Sequence, residues 1–364
     1  MPDSPQPWST NATLAEIAST LRPARRVVVL THVKPDGDAI GSTIAVVRAL
    51  NQPGEWTSPT RAGAWYFGPT PPWLADVALE TPYKVFGPHD EPAEVSAEQE
   101  PDAIVVLDTG SWAQLEQVHQ WLGPRRERVC LVDHHVQGDP EVAARRHIDT
   151  GAAAACQPVA ELCRLLLNKP ALRDLPARVA EACYLGIATD TGWFRHSNVS
   201  RAVMHTAGEL LDAGADHVRL YQAVEQRETA SRLKLLSRAL ATLELHDAGR
   251  IATMSVSRQD MQAVGAQPGE SGGFVDFGQS IPTVQVTALF TEASPEEYGQ
   301  EGKGPITKIS LRSKAGPLAV DVNVVAKKLG GGGHVRAAGA RTNTTIEQTK
   351  ARIVALLSEQ LRAS

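Results

Sequence analysis

Cysteine, long apolar runs and an excess of positive charge are scarce or missing in this 364-residue sequence. Its four cysteines, Cys130, Cys156, Cys163 and Cys183, lie in apolar stretches without CxxC spacing, which argues against a zinc site and predicts reduced core thiols in a cytoplasmic protein. No apolar run approaches the roughly 20 residues of a membrane span. The formal net charge of −5 argues against long duplex DNA as a partner, although a few local cations suffice for a small nucleotide.

The chain is longer than one ordinary domain, so two are expected. Residues 1–11 are polar and proline-rich, lack the features of a signal peptide, and are predicted to be a disordered tail. Residues 12–198 alternate short apolar runs with segments of helical period, which predicts an α/β domain with a doubly wound, mostly parallel sheet. The predicted strands are Arg26–Thr31, Tyr83–Phe86, Ala103–Leu107 and Val129–Val132.

Residues 199–245 lose strand character and are predicted to form a helical connector, with helices at Ser200–Ala213 and His217–Leu245. Residues 246–364 are predicted to form a smaller α+β domain. Its predicted strands are Arg250–Ser257, Val284–Thr291 and Lys308–Ser313, and its predicted helices are Val320–Leu329 and Ile346–Leu361.

Acidic residues and histidines gather at the ends of the predicted elements of the first domain. They are His32, Asp36 and Asp38 after the first strand, Asp108 after the second motif strand, Asp133, His134 and His135 after the third, and Asp190 at the end of a helical segment. The carboxyl ends of parallel strands meet at one edge of a sheet. Carboxylates that converge there without a cation would repel each other, so the pattern predicts a divalent-metal site.

The mixture of imidazole and carboxylate in these segments indicates the kind of metal. Both ligand types together suit Mn, Co, Fe or Zn, whereas carboxylates alone would suit Mg or Ca. Taken singly, two of the acids have simpler explanations: Asp38 could cap a helix, and Asp108 could be a turn residue.

The segment Ile306–Arg341 is basic although the whole chain is acidic. It contains Lys308, Arg312, Lys314, Lys327, Lys328, Arg336 and Arg341 against only Asp321. Within it, the run Gly330–Gly333 precedes His334 and offers backbone N–H groups for close approach of a phosphate or sugar. A solvated surface and a flexible turn are the alternatives.

These residues carry a resemblance. The four acidic segments match, in order and approximate spacing, the motifs of the DHH phosphoesterase superfamily, and Leu311–Lys314 with Gly330–His334 resembles the DHHA1 domain of its second subfamily. The resemblance covers about residues 12 to 360. Within the superfamily, the sequence looks closest to the bacterial nanoRNase and pAp phosphatase group.

The resemblance implies two divalent cations, usually Mn²⁺, with Co²⁺ or Mg²⁺ as alternatives. It places one cation on His32 and Asp36, the other on Asp38, His134 and Asp190, and Asp108 between them. It implies that Asp133 is a ligand or orients a histidine, and that His135 faces the scissile phosphate. The substrate-binding residues that it implies are Arg312, Ser313, Gly331, Gly332, Gly333, His334 and Arg336.

The implied activity is hydrolysis of short oligoribonucleotides, such as the dinucleotide pApA, to mononucleotides, and of pAp to AMP. Two alternatives stay open: a phosphodiesterase of cyclic or linear dinucleotides, and a nucleotide-binding regulator without catalysis. A homodimer is one option for the oligomeric state, which the sequence leaves undecided.

Overall fold

The computed structural model describes residues 7–52, 61–87, 90, 92, 100–293, 304–316 and 319–363. The chain divides into two compact units, Met1–Arg227 and Glu228–Ser364. This division falls inside the connector predicted at residues 199–245, and the finer domain limits remain predictions. Within the described ranges, no helix is both long enough and apolar enough to cross a bilayer.

A parallel six-stranded sheet forms the centre of the first unit. Its strands are β1 (Val27–Leu30), β2 (Ala62–Phe67), β3 (Tyr83–Phe86), β4 (Ala103–Leu107), β5 (Val129–Asp133) and β6 (Arg145–Ile148). They lie in the order β3-β2-β1-β4-β5-β6, and every neighbouring pair is parallel. The order reverses between β1 and β4, and in such sheets a crevice opens outside the carboxyl ends of the strands at this point.

Helices cover both faces of this sheet. They are α1 (Leu14–Leu21), α2 (Gly37–Leu50), α3 (Leu74–Ala78), α4 (His119–Leu122), α5 (Cys156–Leu166), α6 (Ala177–Asp190), α7 (Arg201–Asp212) and α8 (His217–Glu225). Because successive strand residues point to opposite faces, Val105 packs in the core shared with α1, α2, α5 and α6, while Ile104 and Val106 pack in the core that contains Trp121 of α4.

Helices α2 and α6 pack against each other unusually closely, through two glycines. A Cβ on Gly41 would lie 2.5 Å from the Ala182 carbonyl oxygen, and a Cβ on Gly186 would lie 2.2 Å from Cys156 Sγ and 2.5 Å from Asp38 Oδ1. Both positions therefore require the absence of a side chain. This close approach brings the first turn of α2, which carries Asp38, beside α6, whose last residue is Asp190.

The second unit contains a mixed sheet with helices. Its strands are β7 (Glu244–His246), β8 (Ile251–Val256), β9 (Val286–Ala293), β10 (Ile306–Ser313), β11 (Gly332–His334) and β12 (Ala337–Thr342), and its helices are α9 (Ala230–Ala241), α10 (Arg258–Val264), α11 (Val322–Lys327) and α12 (Ile346–Ala363). The strand order is β11-β12-β10-β9-β8-β7, and β8 and β9 are parallel whereas the other pairs are antiparallel. The predicted fold class, a parallel α/β unit followed by a smaller α+β unit, is confirmed.

Two predictions need correction. The single helix predicted at His217–Leu245 is α8, α9 and β7, because Thr229 caps a new helix by accepting the Arg232 N–H. The disorder predicted for the tail is wrong for residues 7–11, where Asn11 hydrogen-bonds to the backbone of β6. Residues 1–6 of the predicted tail lie outside the described residues.

Candidate metal centre

The structure brings the four acidic segments together at one edge of the first sheet. His32 follows β1, Asp108 follows β4, Asp133 ends β5, and Asp190 ends α6. Since β1 and β4 are neighbours where the strand order reverses, the loops that follow them flank the crevice. The residues are distant in sequence: parallel strands bring His32, Asp108 and Asp133 to one edge, and the close packing of α2 on α6 brings Asp38 beside Asp190.

His32, Asp36 and Asp108 form a first cluster of possible ligand atoms. His32 Nε2 lies 3.8 Å from Asp36 Oδ1 and 3.6 Å from Asp108 Oδ2. The other ring nitrogen, Nδ1, lies 2.9 Å from the Val33 carbonyl oxygen, so it donates there and leaves Nε2 directed at the carboxylates. One atom from each of the three side chains lies within 4.8 Å of the other two, close enough for a single cation to bind all three.

A second cluster contains Asp38, His134 and Asp190. His134 Nε2 lies 3.9 Å from Asp38 Oδ2 and 3.8 Å from Asp190 Oδ2. The same nitrogen is 3.4 Å from Asp108 Oδ1. The two carboxylate oxygens of Asp108 thus face different clusters, with Oδ2 beside His32 and Oδ1 beside His134.

Backbone N–H groups hold the carboxylates of Asp36 and Asp38 in place. Asp36 is the N-cap of α2, and its Oδ1 accepts the N–H groups of Asp38 and Ala39 at 3.1 Å. Asp38 is therefore not the cap, which corrects the simpler explanation of that residue. Its buried carboxylate instead accepts the N–H groups of Ala155, at 2.5 Å, and Cys156, at 2.9 Å, where α5 begins. The N-terminal end of a helix stabilises negative charge at that position.

Asp108 has the properties expected of a metal ligand rather than of a surface turn residue. Its side chain is 4 % exposed, and its φ of 59° lies in the left-handed region that few residues other than glycine, Asn and Asp adopt. No described donor makes a hydrogen bond to its buried Oδ1. A buried carboxylate oxygen without a donor is costly unless a cation binds it.

Asp133 contacts a histidine instead of joining either cluster. Its Oδ1 accepts the N–H of His134 at 2.8 Å and lies 2.7 Å from His135 Nδ1. Of the two roles that the sequence left open, orientation of a histidine is the one that these contacts support. The Asp133 carboxylate raises the pKa of His135, whose side chain is half-exposed.

The pKa values of the clusters reflect crowded charge. Burial raises the pKa of Asp38 well above its usual range, and the carboxylates of Asp108 and Asp190 raise it further. Burial alone would lower the pKa of His32, but the neighbouring carboxylates outweigh it and raise that pKa to about 10. In the same way the pKa of His134 rises to about 9. Carboxylates that repel each other and imidazoles that retain protons are the features of a site whose charge balance a divalent cation would restore.

A cavity of about 540 Å³ opens over these residues. It is lined by members of both clusters, by His135, and by residues that the sequence analysis did not single out, of which the polar ones are Thr109, Ser111, Gln114 and Gln137. Thr109 could have been found because it follows a motif Asp directly. Gln137 carried no signal in the sequence, because only the path of the loop after β5 brings it to the cavity.

In the second unit, two of the predicted substrate residues share one face of the sheet. Arg312 on β10 and His334 on β11 are both paired with Ala337 of the strand between them. Residues directly opposite each other across strands point to the same side. Arg312 Nε also lies 3.3 Å from Asp276 Oδ1, a partner that the sequence analysis did not identify.

The other predicted substrate residues have mixed surroundings. The Ser313 hydroxyl is buried and accepts the Val320 N–H at 3.0 Å, whereas Arg336 is exposed. A Cβ on Gly331 would lie 2.2 Å from the Gly339 carbonyl oxygen, and a Cβ on Gly333 would lie 2.5 Å from that of Ala337. Close packing on β12 therefore explains these two glycines without a ligand. Gly332, which lies between them on β11, is exposed.

Comparisons with known proteins agree with this organisation. The DHH family, N-terminal domain, matches residues 26–187, and the DHHA1 domain matches residues 252–363. The bifunctional oligoribonuclease and PAP phosphatase NrnA of Thermus thermophilus is 29% identical over 99% of this chain and 97% of its own length.

Solved structures share the fold. An exopolyphosphatase-related protein from Bacteroides fragilis superposes with a TM-score of 0.74 at 23% identity, with 96% of each chain covered. The exonuclease RecJ bound to manganese superposes with a TM-score of 0.50 at 17% identity, covering 98% of this chain and 96% of that one. With its DHH domain, its DHHA1 domain and a relative similar over nearly the full length, the chain belongs to the DHH/DHHA1 phosphoesterase family.

Proposed function

We propose that this protein is a two-metal phosphoesterase that hydrolyses short oligoribonucleotides, such as pApA, to mononucleotides and pAp to AMP. One observation carries the proposal: two clusters of possible metal ligands lie side by side, and the two oxygens of the buried Asp108 carboxylate face one cluster each. The NrnA relative from Thermus thermophilus, which is named for both activities, supports the choice of substrate.

The residues present fit a pair of divalent cations. His32 and Asp36 would hold one ion, Asp38, His134 and Asp190 the other, and Asp108 would contact both. Two such cations lower the pKa of a bound water and neutralise charge on a phosphate. Because each cluster contains an imidazole, Mn²⁺ or Co²⁺ is the preferred metal over Mg²⁺.

His135 is the side chain that would contact the scissile phosphate. It lines the cavity, and its Nδ1 donates to Asp133, which fixes the plane of the ring and leaves Nε2 available. The Asp133 carboxylate raises the pKa of His135 and so favours the protonated imidazole, in which Nε2–H can donate to a phosphate oxygen. His135 thus supplies a positive donor beside the group that gains negative charge during hydrolysis.

In the second unit, Arg312 and His334 would bind the nucleotide. They lie on the same face of the sheet, one strand apart on either side of β12. The contact with Asp276 occupies Nε of Arg312, and Nη1 donates to the Leu311 carbonyl oxygen at 3.1 Å, so the guanidinium is held in one orientation. A guanidinium in a fixed orientation is well suited to a phosphate.

The charge of the chain sets the length of the substrate. The basic residues of Ile306–Arg341 can contact only a few phosphates, and the net charge of the whole chain is −5. The additional phosphates of a longer RNA would contact no further Lys or Arg side chains of this segment, and the net negative charge of the chain would repel them. The specificity constant should therefore peak at about two to five nucleotides, with a shallow dependence on salt because few phosphates are neutralised.

A turnover assay tests this proposal. The Mn²⁺-loaded protein is incubated with pApA, pAp, pyrophosphate and a cyclic dinucleotide, and with a length series of 5′-labelled oligoribonucleotides at two salt concentrations. Asp108→Asn protein, purified in parallel, controls for contaminating nucleases. Turnover of pApA and pAp with a maximum at short lengths is expected.

Other outcomes would contradict the proposal in distinguishable ways. A preference for the cyclic dinucleotide would identify a cyclic-dinucleotide phosphodiesterase. Binding of all nucleotides without turnover would identify a regulator, and degradation of a chain of about twenty nucleotides as fast as a dimer would identify a long-strand exonuclease. The cytoplasmic location and the homodimer remain predictions.

A further inference from the structure

Residues 7–11 run beside the edge strand β6 and are held there by paired hydrogen bonds. The Thr10 hydroxyl donates to the Ile148 carbonyl oxygen at 2.9 Å and accepts the Ile148 N–H at 2.8 Å. Asn11 does the same further along the strand: its N–H donates to the Arg146 carbonyl oxygen at 2.9 Å, and its Oδ1 accepts the Arg146 N–H at 2.7 Å. We refer to residues 7–11 as the strap.

Trp8 connects the strap to the metal-site loops, which are the loops that follow β4 and β5. The indole Nε1–H donates to the backbone carbonyl oxygen of His135 at 3.0 Å. The indole ring itself fills the space over two glycines, Gly110 in the loop after β4 and Gly138 in the loop after β5. A Cβ on Gly110 would lie 1.8 Å from the ring, and one on Gly138 would lie 2.6 Å from it.

The backbone does not explain why these two positions are glycine. Neither Gly110 nor Gly138 has a φ in the left-handed region, so an alanine could adopt both conformations. The nearest atoms to the missing side chains are those of Trp8. The glycines therefore accommodate the indole. Asp139 joins the same loops from the other side, since its N–H donates to the Gly110 carbonyl oxygen at 2.7 Å and its Oδ2 accepts the Trp112 N–H at 2.8 Å.

We propose that Trp8 is a positioning residue for His135, and that the strap holds the loops after β4 and β5 in the arrangement used for hydrolysis. The proposal rests on the proposed function for the role of His135. Asp133 fixes the imidazole ring of His135, whereas Trp8 fixes its backbone. A displacement of about 1 Å in a group that contacts the reacting phosphate can reduce turnover by as much as about a hundredfold, so the second restraint affects kcat.

Three variants of the full chain test the proposal. Trp8→Ala is expected to lower kcat for pApA roughly tenfold, with KM and the number of bound Mn²⁺ ions unchanged, because His135 shifts while the ligands stay. Trp8→Phe keeps a ring over the glycines and loses the N–H, so kcat should fall to an intermediate value. The matched control is Trp73→Ala, which removes a half-buried tryptophan from the same unit, outside the described residues that line the cavity.

A double-mutant cycle separates a direct contact from general destabilisation. Gly138→Ala alone should lower kcat, because the new methyl group collides with the indole. In the Trp8→Ala background the same substitution should have little further effect, since the indole is gone. Additive effects of the two substitutions would overturn the proposal, and so would a kcat unchanged by Trp8→Ala.

A readout without catalysis keeps this test independent of the proposed function. In the metal-free protein, amide hydrogen exchange in residues 133–138 should be faster in Trp8→Ala than in wild type and unchanged in Trp73→Ala. If the wild type fails to hydrolyse pApA but this difference in exchange is found, the proposed function fails and the strap remains supported. Equal amide exchange in the wild type and in Trp8→Ala would overturn the proposed role of the strap. Should Trp8→Ala not fold, the same comparison is made with Trp8→Phe and with Asn11→Ala, which loses the Asn11 side-chain bonds to the backbone of Ala144 and Arg146.

Discussion

Replacing Asp108 by Asn tests the metal centre most directly, because the two oxygens of this one carboxylate face different ligand clusters. Asn matches Asp in size and also tolerates the left-handed φ of 59°, so the backbone should stay in place. The substitution removes one negative charge 3.6 Å from His32 Nε2 and 3.4 Å from His134 Nε2. We expect weaker binding of both cations and the loss of turnover.

The size of the effect follows from burial. Asp108 is buried, and removal of one partner from a buried charge pair costs about 3–5 kcal/mol, which corresponds to a loss of at least about a hundredfold in affinity. At a Mn²⁺ concentration a hundredfold above Kd, each site stabilises the wild type by about 2.7 kcal/mol; a hundredfold weaker site contributes only about 0.4 kcal/mol. For a unit of this size the difference is about 5–10 °C in the Mn²⁺-induced rise of Tm per site.

The metal-free Tm should change little, because two effects oppose each other. The variant loses the repulsion that Asp108 exerts on Asp38 and Asp190, but it also loses the attraction to the imidazoles of His32 and His134. A structural residue would show the reverse behaviour: a lower Tm without metal and a normal response to Mn²⁺.

Bound Mn²⁺ per chain, the Tm with and without Mn²⁺, and turnover of pApA are measured on the same preparation. The matched control is Asp102→Asn, which changes a carboxylate that accepts the N–H groups of Arg25 and Arg26 beside the amino ends of β1 and β4. It should keep its metal and its activity. Full occupancy of two ions with normal turnover in Asp108→Asn would refute the bridging role.

Three further predictions follow from the same geometry. After chelation and add-back, Mn²⁺ or Co²⁺ should support more activity than Mg²⁺ at equal concentration, because imidazole ligands favour them; maximal activity with Mg²⁺ alone would contradict the ligand set. The variants Arg312→Ala and His334→Ala should each lower kcat/KM for pApA on the order of tenfold to a hundredfold, which corresponds to about 1.5–3 kcal/mol, and should keep both metals; Lys234→Ala on α9, outside the basic segment, should leave kcat/KM unchanged, and loss of metal in either of the first two variants would argue against a separate substrate-binding unit. The pKa values of His32 and His134 are raised to about 10 and about 9 in the metal-free protein, so both rings should be protonated at pH 8. Mn²⁺ must then displace their protons, and its affinity should fall as the pH is lowered. Titration calorimetry in buffers of different ionisation enthalpy should show proton release on binding, and a buffer-independent enthalpy would contradict these pKa values.

Several features of the fold were predictable because they depend on neighbours in the sequence. The apolar runs of β1, β4 and β5 each end at a motif residue, and parallel strands place their carboxyl ends at one edge. The convergence of His32, Asp108 and Asp133 could therefore be anticipated without coordinates. The Gly-rich segment at Gly330–Gly333 was also recognisable, although packing on β12 explains Gly331 and Gly333 as well as a ligand would.

Other features depend on contacts between distant residues and carried no local signal. Asp36 rather than Asp38 caps α2, because the carboxylate of Asp38 turns instead to the N–H groups at the start of α5, more than a hundred residues away. The sequence gives little sign of the helix break at Thr229, because a single capping residue inside a polar stretch is a weak signal.

The sequence by itself determined which chemical groups this protein possesses and the order in which they appear, and with parallel topology that was enough to predict a divalent-metal site. Only the tertiary structure decided which atom faces which: that the two oxygens of Asp108 point to different histidines, that Asp133 holds His135, and that Trp8 lies over the metal-site loops. The physical reason is the distance along the sequence over which each kind of interaction acts. Hydrophobic period and capping act over a few residues, whereas side-chain orientation at a site depends on packing between segments that are distant in the sequence.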